Sequence, residues 1–186
     1  MKILCYGDSN TYGYDGTDPF GSRLPEASRW PELLGRSLGC ECLNCGLNGR
    51  RVPRYPREVE ADLRLLSRAR PGDLILVMLG TNDLLCGAEP EETAESMRAF
   101  LERLKEAKGD CAILLTAPPP VFIDGADFTA AFSALSGCYR ALSREAGVLF
   151  ADTTGWNIPT TGDGVHFSVQ GHRLFALKMG QTIRAM

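Results

Sequence analysis

Short apolar runs alternating with segments of helical period predict a three-layer α/β domain built on a parallel sheet. Four runs, at residues 2–6, 74–79, 112–117 and 148–151, lack polar alternation, and a weaker one lies at 41–45. Strands buried on both faces read this way, as they do when helices cover both sides of a parallel sheet. The segments between them carry apolar residues at helical spacing. That β-α alternation fixes right-handed crossovers and places helices on both faces.

Taken in order, the first strand runs into Gly7-Asp8, and Ser28 followed by Pro31 marks the start of a helix that ends before the weak strand at 41–45. Val59, Leu63 and Leu66 form a short helical stripe, and Pro71-Gly72-Asp73 stops it before the strand at 74–79. Glu89-Pro90 opens the next helix, whose stripe is Met97, Phe100, Leu101 and Leu104. Lys108-Gly109-Asp110 closes it ahead of the fourth strand. Phe128, Phe132, Leu135, Tyr139 and Leu142 define a further helix before the last strand. The final helix follows Ser168, its predicted N-cap, with His172, Phe175, Ala176, Met179 and Ile183 on one face. Three long irregular stretches, 8–27, 118–125 and 153–167, each follow a strand, so all three gather at the carboxyl edge of the sheet. Open α/β folds place their sites there.

The 186 residues suit one domain spanning 1–186. Twenty Lys and Arg stand against 23 Asp and Glu, a net charge of −3, which argues against a partner bound through phosphate neutralisation. No apolar run approaches the ~20 residues of a membrane span. The amino terminus reaches Asp8 too early for a secretion signal, and seven cysteines, an odd number, suit reduced thiols. The expected location is therefore the cytoplasm.

Only two histidines are present, so any histidine-assisted nucleophile must use one of them. His172 lies on an apolar helical stripe and reads as a packed residue. His166 lies in the glycine-containing loop Thr161-Gly162-Asp163-Gly164-Val165-His166-Phe167. Asp163, three residues earlier, can reach its imidazole within one turn, although a turn aspartate beside a surface histidine is an equal reading of that stretch. Gly35-Arg36-Ser37-Leu38-Gly39 matches G-x-S-x-G but follows a helix and precedes a strand, the reverse of what that motif requires. Ser9, directly after the first strand, has the better position, although Gly-Asp-Ser taken alone reads more readily as a common turn. Two more glycine-polar turns follow strands: Gly46-Leu47-Asn48-Gly49 and Gly80-Thr81-Asn82-Asp83. Backbone N–H groups and an Asn carboxamide can stabilise an oxyanion without changing protonation, though each turn alone also reads as a tight β-to-α connection.

Together, Gly7-Asp8-Ser9, Gly46-x-Asn48, Gly80-x-Asn82-Asp83 and Asp163-x-x-His166 occur in the order, and on the elements, of the SGNH (GDSL-type) hydrolases, and the chain resembles that family along essentially its whole length. The resemblance implies a flavodoxin-like αβα sandwich with a five-stranded parallel sheet, Ser9 as nucleophile, His166 as general base and then acid, and Asp163 as its orienting partner. It also implies an oxyanion hole of the Ser9 and Gly46 N–H groups with the Asn82 side chain. No cofactor or metal is implied. Gly7–Tyr14, Arg29-Trp30-Pro31 and Gly46–Arg50 further resemble the short-chain arylesterase and acyltransferase branch, in which Leu often follows the serine and Trp often stands where Tyr12 is. Asn10 and Tyr12 depart from that pattern and are candidate substrate contacts. Trp156 and Phe122 are candidates for the acyl pocket, with core packing as the other reading. Some members of that branch form higher oligomers, and a homo-oligomer stays open for this chain.

The expected activity is cleavage of small carboxylic esters through an acyl-enzyme, with acyl transfer to alcohols as an extension. Carbohydrate deacetylation, thioester or lysophospholipid hydrolysis, and a non-catalytic ligand-binding module are the alternatives. Cys40-x-Cys42-x-x-Cys45 lies along a strand without a second Cys/His pair, so it reads as packed thiols rather than a metal site. Cys5 and Cys45 are assigned to packing, and Asp8 and Asp83 to holding loops through backbone N–H groups. Arg50, Arg51, Arg54 and Arg57 read by default as a solvated basic face.

Overall fold

The computed structural model describes every residue except Pro19. Five parallel strands form one sheet: β1 (Lys2–Gly7), β2 (Glu41–Gly46), β3 (Leu74–Met78), β4 (Ala112–Ala117) and β7 (Leu149–Asp152), in the order β2-β1-β3-β4-β7. Between them run α1 (Ser9–Tyr12), α2 (Trp30–Leu38), α3 (Pro56–Leu66), α4 (Thr81–Leu85), α5 (Pro90–Lys108) and α6 (Thr129–Ala146), and α7 (Val169–Arg184) follows the last strand. A two-stranded antiparallel ribbon, β5 (Phe122–Ile123) and β6 (Ala126–Asp127), stands apart from the sheet.

Strand pleating divides the side chains between two cores, because successive residues of a strand point to opposite faces. Leu4, Tyr6, Ile75, Val77 and Leu115 meet Phe100 and Leu104 of α5 and Phe132, Leu135 and Tyr139 of α6. Ile3, Cys5, Leu76, Met78 and Leu114 face the other way, onto Trp30 and Leu34 of α2 and Phe175 and Met179 of α7. Cys5 and Cys45 are both buried, in opposite cores. The stripes predicted for α5, α6 and α7 are the faces these helices bury. Register sets the ends of the central strands level, with Gly7 opposite Gly46 on one side and Met78 on the other. The residues that follow β1, β2 and β3 therefore emerge together at the carboxyl edge.

Three local expectations need correction. Helix α2 begins at Trp30 with extended Arg29 as its N-cap, while Ser28 closes a short 3₁₀ turn, Glu26–Ser28. Arg29 takes the cap position because its buried guanidinium is held between Glu26 (3.6 Å) and Glu32 (3.2 Å). The stretch 118–125 is not wholly irregular. Asp124-Gly125, with Gly125 at φ 81°, forms the tight turn joining β5 and β6, and an Asp-Gly pair favours such turns. The stretch 8–27 is likewise ordered by α1 and by an antiparallel bridge between Tyr14 and Arg23. Ser37, by contrast, lies in the last turn of α2, ahead of left-handed Gly39, as its sequence context requires.

His172 is fully buried in α7. Its Nδ1 accepts the Trp30 N–H at 3.3 Å, and its ring meets the edge of Phe167. Burial, with Arg29 nearby, pushes its pKa down from 6.5 to about 4. The unfolded chain thus takes up a proton on His172 near pH 6.5, and the folded chain only near pH 4, so stability falls as pH drops between those values. A His172→Asn variant keeps an acceptor for Trp30 but does not titrate. Melting temperatures at pH 7 and 4.5 should therefore differ less for the variant than for the wild type; equal losses would contradict the assignment.

Candidate active site

The sharp passage from β1 into α1 depends on Gly7. A Cβ there would lie 2.1 Å from Thr11 Oγ1 and 2.9 Å from the Met78 carbonyl oxygen, so only glycine lets α1 fold back over the strand ends. Asp8 caps α1, its carboxylate accepting the Asn10 N–H at 2.9 Å, and Ser9 is the first helical residue. Burial pushes the Asp8 pKa up to about 6, against the opposing pull of the Asn10 N–H, His166, the Thr81 hydroxyl and Arg50.

From the other end of the chain, the loop between β7 and α7 carries Asp163 and His166. Asp163 Oδ1 accepts the N–H groups of Val165 (2.9 Å) and His166 (3.0 Å) and the Thr161 hydroxyl (2.9 Å). Its Oδ2 lies 2.6 Å from His166 Nδ1. Partial burial raises the carboxyl pKa, but the hydrogen bonds from the His166 ring and the backbone outweigh it and hold it at about 2. An ionised Asp163 places the neutral ring's hydrogen on Nδ1 and leaves Nε2 as acceptor. Nε2 stands 3.1 Å from Ser9 Oγ. Ser9, His166 and Asp163, 157 and three residues apart in sequence, thus form one continuous chain of polar contacts.

Asn10 holds the histidine loop against α1. Its Oδ1 accepts the Phe167 N–H at 2.8 Å, and its Nδ2 donates to the Val165 carbonyl at 3.1 Å. The side chain is buried and both of its ends bind the backbone on either side of His166, so the expectation that Asn10 contacts substrate is corrected to that of a clamp. Two features from the 8–27 stretch close over the same pair. The ring of Tyr14 lies 4.4 Å from the imidazole, and Gly16 packs where a Cβ would meet Asp163 Oδ2 at 2.7 Å and Thr161 Oγ1 at 2.4 Å. Neither residue is singled out by sequence pattern, because the contact joins segments about 150 residues apart.

Asn82 lies in the first turn of α4, and its Nδ2 donates to the Arg50 carbonyl at 2.9 Å, leaving its second N–H free among the described residues. Gly46 is placed differently from expectation. Its N–H donates to Asn44 Oδ1 at 3.1 Å, so it is already engaged. What position 46 requires is closeness, since a Cβ would lie 2.1 Å from the Tyr12 nitrogen. Gly49, at φ 70°, has an N–H with no partner among the described residues and precedes Arg50, the acceptor for Asn82. Sequence reading passed over this glycine within its own Gly-Leu-Asn-Gly turn.

The basic cluster is not one solvated face. Arg50 is buried, donates from Nη1 to the Gly7 (2.9 Å) and Cys45 (2.5 Å) carbonyls, pairs with Asp62 at 3.4 Å and stacks over Tyr6. It ties the ends of β1 and β2 together. Asp83, whose carboxyl is pushed up by burial, accepts the Val52 N–H at 3.1 Å and pairs with Arg54 at 3.5 Å. A cleft of about 550 Å³ opens along this loop, lined by Leu47, Gly49, Arg51, Arg54, Tyr55 and Asp62 among others. None of the four expected substrate contacts lines it. Trp156, partly buried, packs against Phe175 of α7 at 5.3 Å, in line with the packing alternative. Tyr12 is partly buried with the Arg23 guanidinium over its ring. Phe122 is exposed beside the histidine loop, its N–H donating to the Gly164 carbonyl at 2.9 Å.

The model of the GDSL-like lipase/acylhydrolase family matches residues 5–174. The chain belongs to that family. A carbohydrate acetylesterase from Sinorhizobium meliloti superposes with a TM-score of 0.83 at 25% identity, covering 99% of this chain and 98% of the other. The inhibitor-bound M. smegmatis aryl esterase superposes with a TM-score of 0.84 at 25% identity, with the same coverage. In sequence, thioesterase 1/protease 1/lysophospholipase L1 of Escherichia coli K12 is 28% identical over 145 residues, which are 77% of this chain and 62% of the length of that relative. As a member of the GDSL-like family, the chain carries a hydrolase fold; no helix among its described residues is long and apolar enough to cross a membrane.

The packing of Gly16 against the Asp163 carboxylate is directly testable. Gly16→Ala should cost about 1–3 kcal/mol through overpacking, read by urea unfolding. Gly155→Ala, where an added Cβ meets nothing within 4 Å, should change little. Equal stability of the two variants would contradict the close approach.

Proposed function

We propose that the chain is a serine esterase that cleaves small carboxylic esters through an acyl-enzyme on Ser9. The observation that carries this reading is the alignment of Ser9 Oγ, 3.1 Å from His166 Nε2, with an imidazole whose Nδ1 is held 2.6 Å from an ionised Asp163. In the first half-reaction Ser9 Oγ attacks the ester carbonyl as its proton passes to Nε2, and Asp163 stabilises the imidazolium. The tetrahedral oxyanion would meet the Ser9 N–H, the free N–H of Asn82, and the Gly49 N–H in place of Gly46. As the intermediate collapses, His166 returns its proton to the leaving alcohol oxygen. Water then attacks the acyl-Ser9 carbonyl, giving its proton to Nε2, and the acid departs as Ser9 Oγ is reprotonated. An alcohol in place of water gives acyl transfer. The acetylesterase likeness favours short acyl groups, the aryl esterase likeness makes aryl esters suitable substrates to assay, and the Escherichia coli relative makes thioesters the second class. A purely binding module would have no use for an oriented base against a buried serine.

A fluorophosphonate probe should label Ser9 and leave Ser37 untouched, and a series of 4-nitrophenyl esters should show turnover at short acyl length. Asp163→Asn should lower kcat by up to ~10⁴. Asn82→Ala should lower kcat by about 10²–10³ with little change in KM. Labelling at Ser37, or a flat absence of turnover across esters and thioesters, would overturn the reading.

A further inference from the structure

The ring of Tyr14 stands over the imidazole of His166. The two ring centroids are 4.4 Å apart with planes inclined at 40°. The Tyr14 ring is held from three directions. Its backbone N–H donates to the Ser9 carbonyl at 3.0 Å, which ties it to the residue that His166 faces. Tyr14 also pairs with Arg23 in an antiparallel bridge, and Asp15 N–H donates to the Ser22 carbonyl at 3.0 Å. Finally Gly21, at φ 70°, lies against the Tyr14 ring. A Cβ there would come within 3.2 Å of one ring carbon and 3.3 Å of the phenolic oxygen, so a side chain at position 21 would push against the ring. The phenolic oxygen makes no hydrogen bond among the described residues, so the ring, not the hydroxyl, is what this arrangement presents.

We propose that Tyr14 is a positioning residue for His166: its aromatic face keeps Nε2 aimed at Ser9 and stabilises the imidazolium that forms when Ser9 gives up its proton. The inference rests on the catalytic roles assigned above. An aromatic face attracts a cation through its quadrupole, and a neutral imidazole gains much less from it. The charge that benefits exists only after proton transfer, so the effect belongs to kcat rather than to substrate affinity. Orientation works in the same sense. Asp163 fixes one ring nitrogen but leaves the imidazole free to tilt about that contact, and the Tyr14 ring blocks that tilt from one face. A single segment following β1 thereby supplies the nucleophile, the ring over its base, and, through Gly16, the cover over the carboxylate.

The test compares Tyr14→Phe with Tyr14→Leu and Tyr14→Met, using kcat, KM and melting temperature on a short-chain 4-nitrophenyl ester, with fluorophosphonate labelling of Ser9 as a second readout. Tyr14→Phe keeps the ring and should retain wild-type kcat. Leu and Met, either of which suffices if the other fails to fold, should lower kcat and the labelling rate by about two- to thirtyfold, the range of a cation–π contact from exposed to desolvated, at unchanged KM. A lower melting temperature with unchanged kcat would make Tyr14 merely structural and overturn the proposal. A rise in KM alone would make it a substrate contact and overturn it as well. A loss of kcat in Tyr14→Phe equal to that in Tyr14→Leu would overturn the role of the ring. If wild-type Ser9 did not label at all while the chain was folded, the catalytic reading itself would fall, an outcome distinct from labelling that is indifferent to Tyr14.

Discussion

The carboxamide of Asn10 is the constraint on which the site depends. It neighbours Ser9 in sequence, and its two ends bind the Val165 carbonyl and the Phe167 N–H. A residue held at both flanks of His166 from a position adjacent to Ser9 leaves little freedom in the distance between imidazole and hydroxyl. Burial strengthens this, because an unpaired carboxamide at that position would cost roughly 1–3 kcal/mol. The two ends of the chain are therefore brought together by backbone recognition, and the side-chain contact of 3.1 Å between Nε2 and Oγ follows from it.

Close approach of backbones does the rest. Gly7 lets α1 turn back over the sheet, and Gly46 lets the same helix lie against the end of β2. Buried Arg50 then gathers the carbonyls of Gly7 and Cys45, so that the edge from which Ser9 projects is fixed by a charged group with its own partner, Asp62. The loop that Arg50 anchors also presents its carbonyl to Asn82. Ser9, Gly49 and Asn82 thus follow three strand ends held level by register, two of which, those of β1 and β2, are joined by one guanidinium. A histidine loop clamped to α1 and a loop anchored to β1 leave the site preorganised, as the proposed stabilisation of an oxyanion would require.

Much of this was legible in the sequence, for identifiable reasons. Parallel strands buried on both faces announce themselves as unbroken apolar runs, and α5 and α6 carry stripes long enough to define their buried faces. Ser9, Asp163, His166 and Asn82 follow strands or precede a helix in short motifs whose spacing reflects local turns. What escaped was set by contacts between distant segments. Asn10 sits in a motif where a substrate contact is a fair reading, and only the fold reveals its partners at residues 165 and 167. Tyr14 and Gly16 act on residues far along the chain, and Arg50 looks like its solvated neighbours until its burial is seen. Gly46 and Gly49 share one turn, and choosing between their N–H groups needs the bond from Gly46 to Asn44. Trp156, partly buried, packs against the core because α7, whose stripe was visible, presents Phe175 to it.

Asn10 sets the reach between His166 and Ser9 by holding both flanks of the histidine. The most direct measurement is the second-order rate at which a fluorophosphonate modifies Ser9 in Asn10→Ala, with circular dichroism confirming that the variant is folded. Losing the clamp should lower that rate on the order of 10²-fold, the effect of a displacement near 1 Å at a reacting pair. A folded Asn10→Ala protein that reacts at the wild-type rate would show that the histidine loop finds Ser9 without Asn10, and would contradict the account.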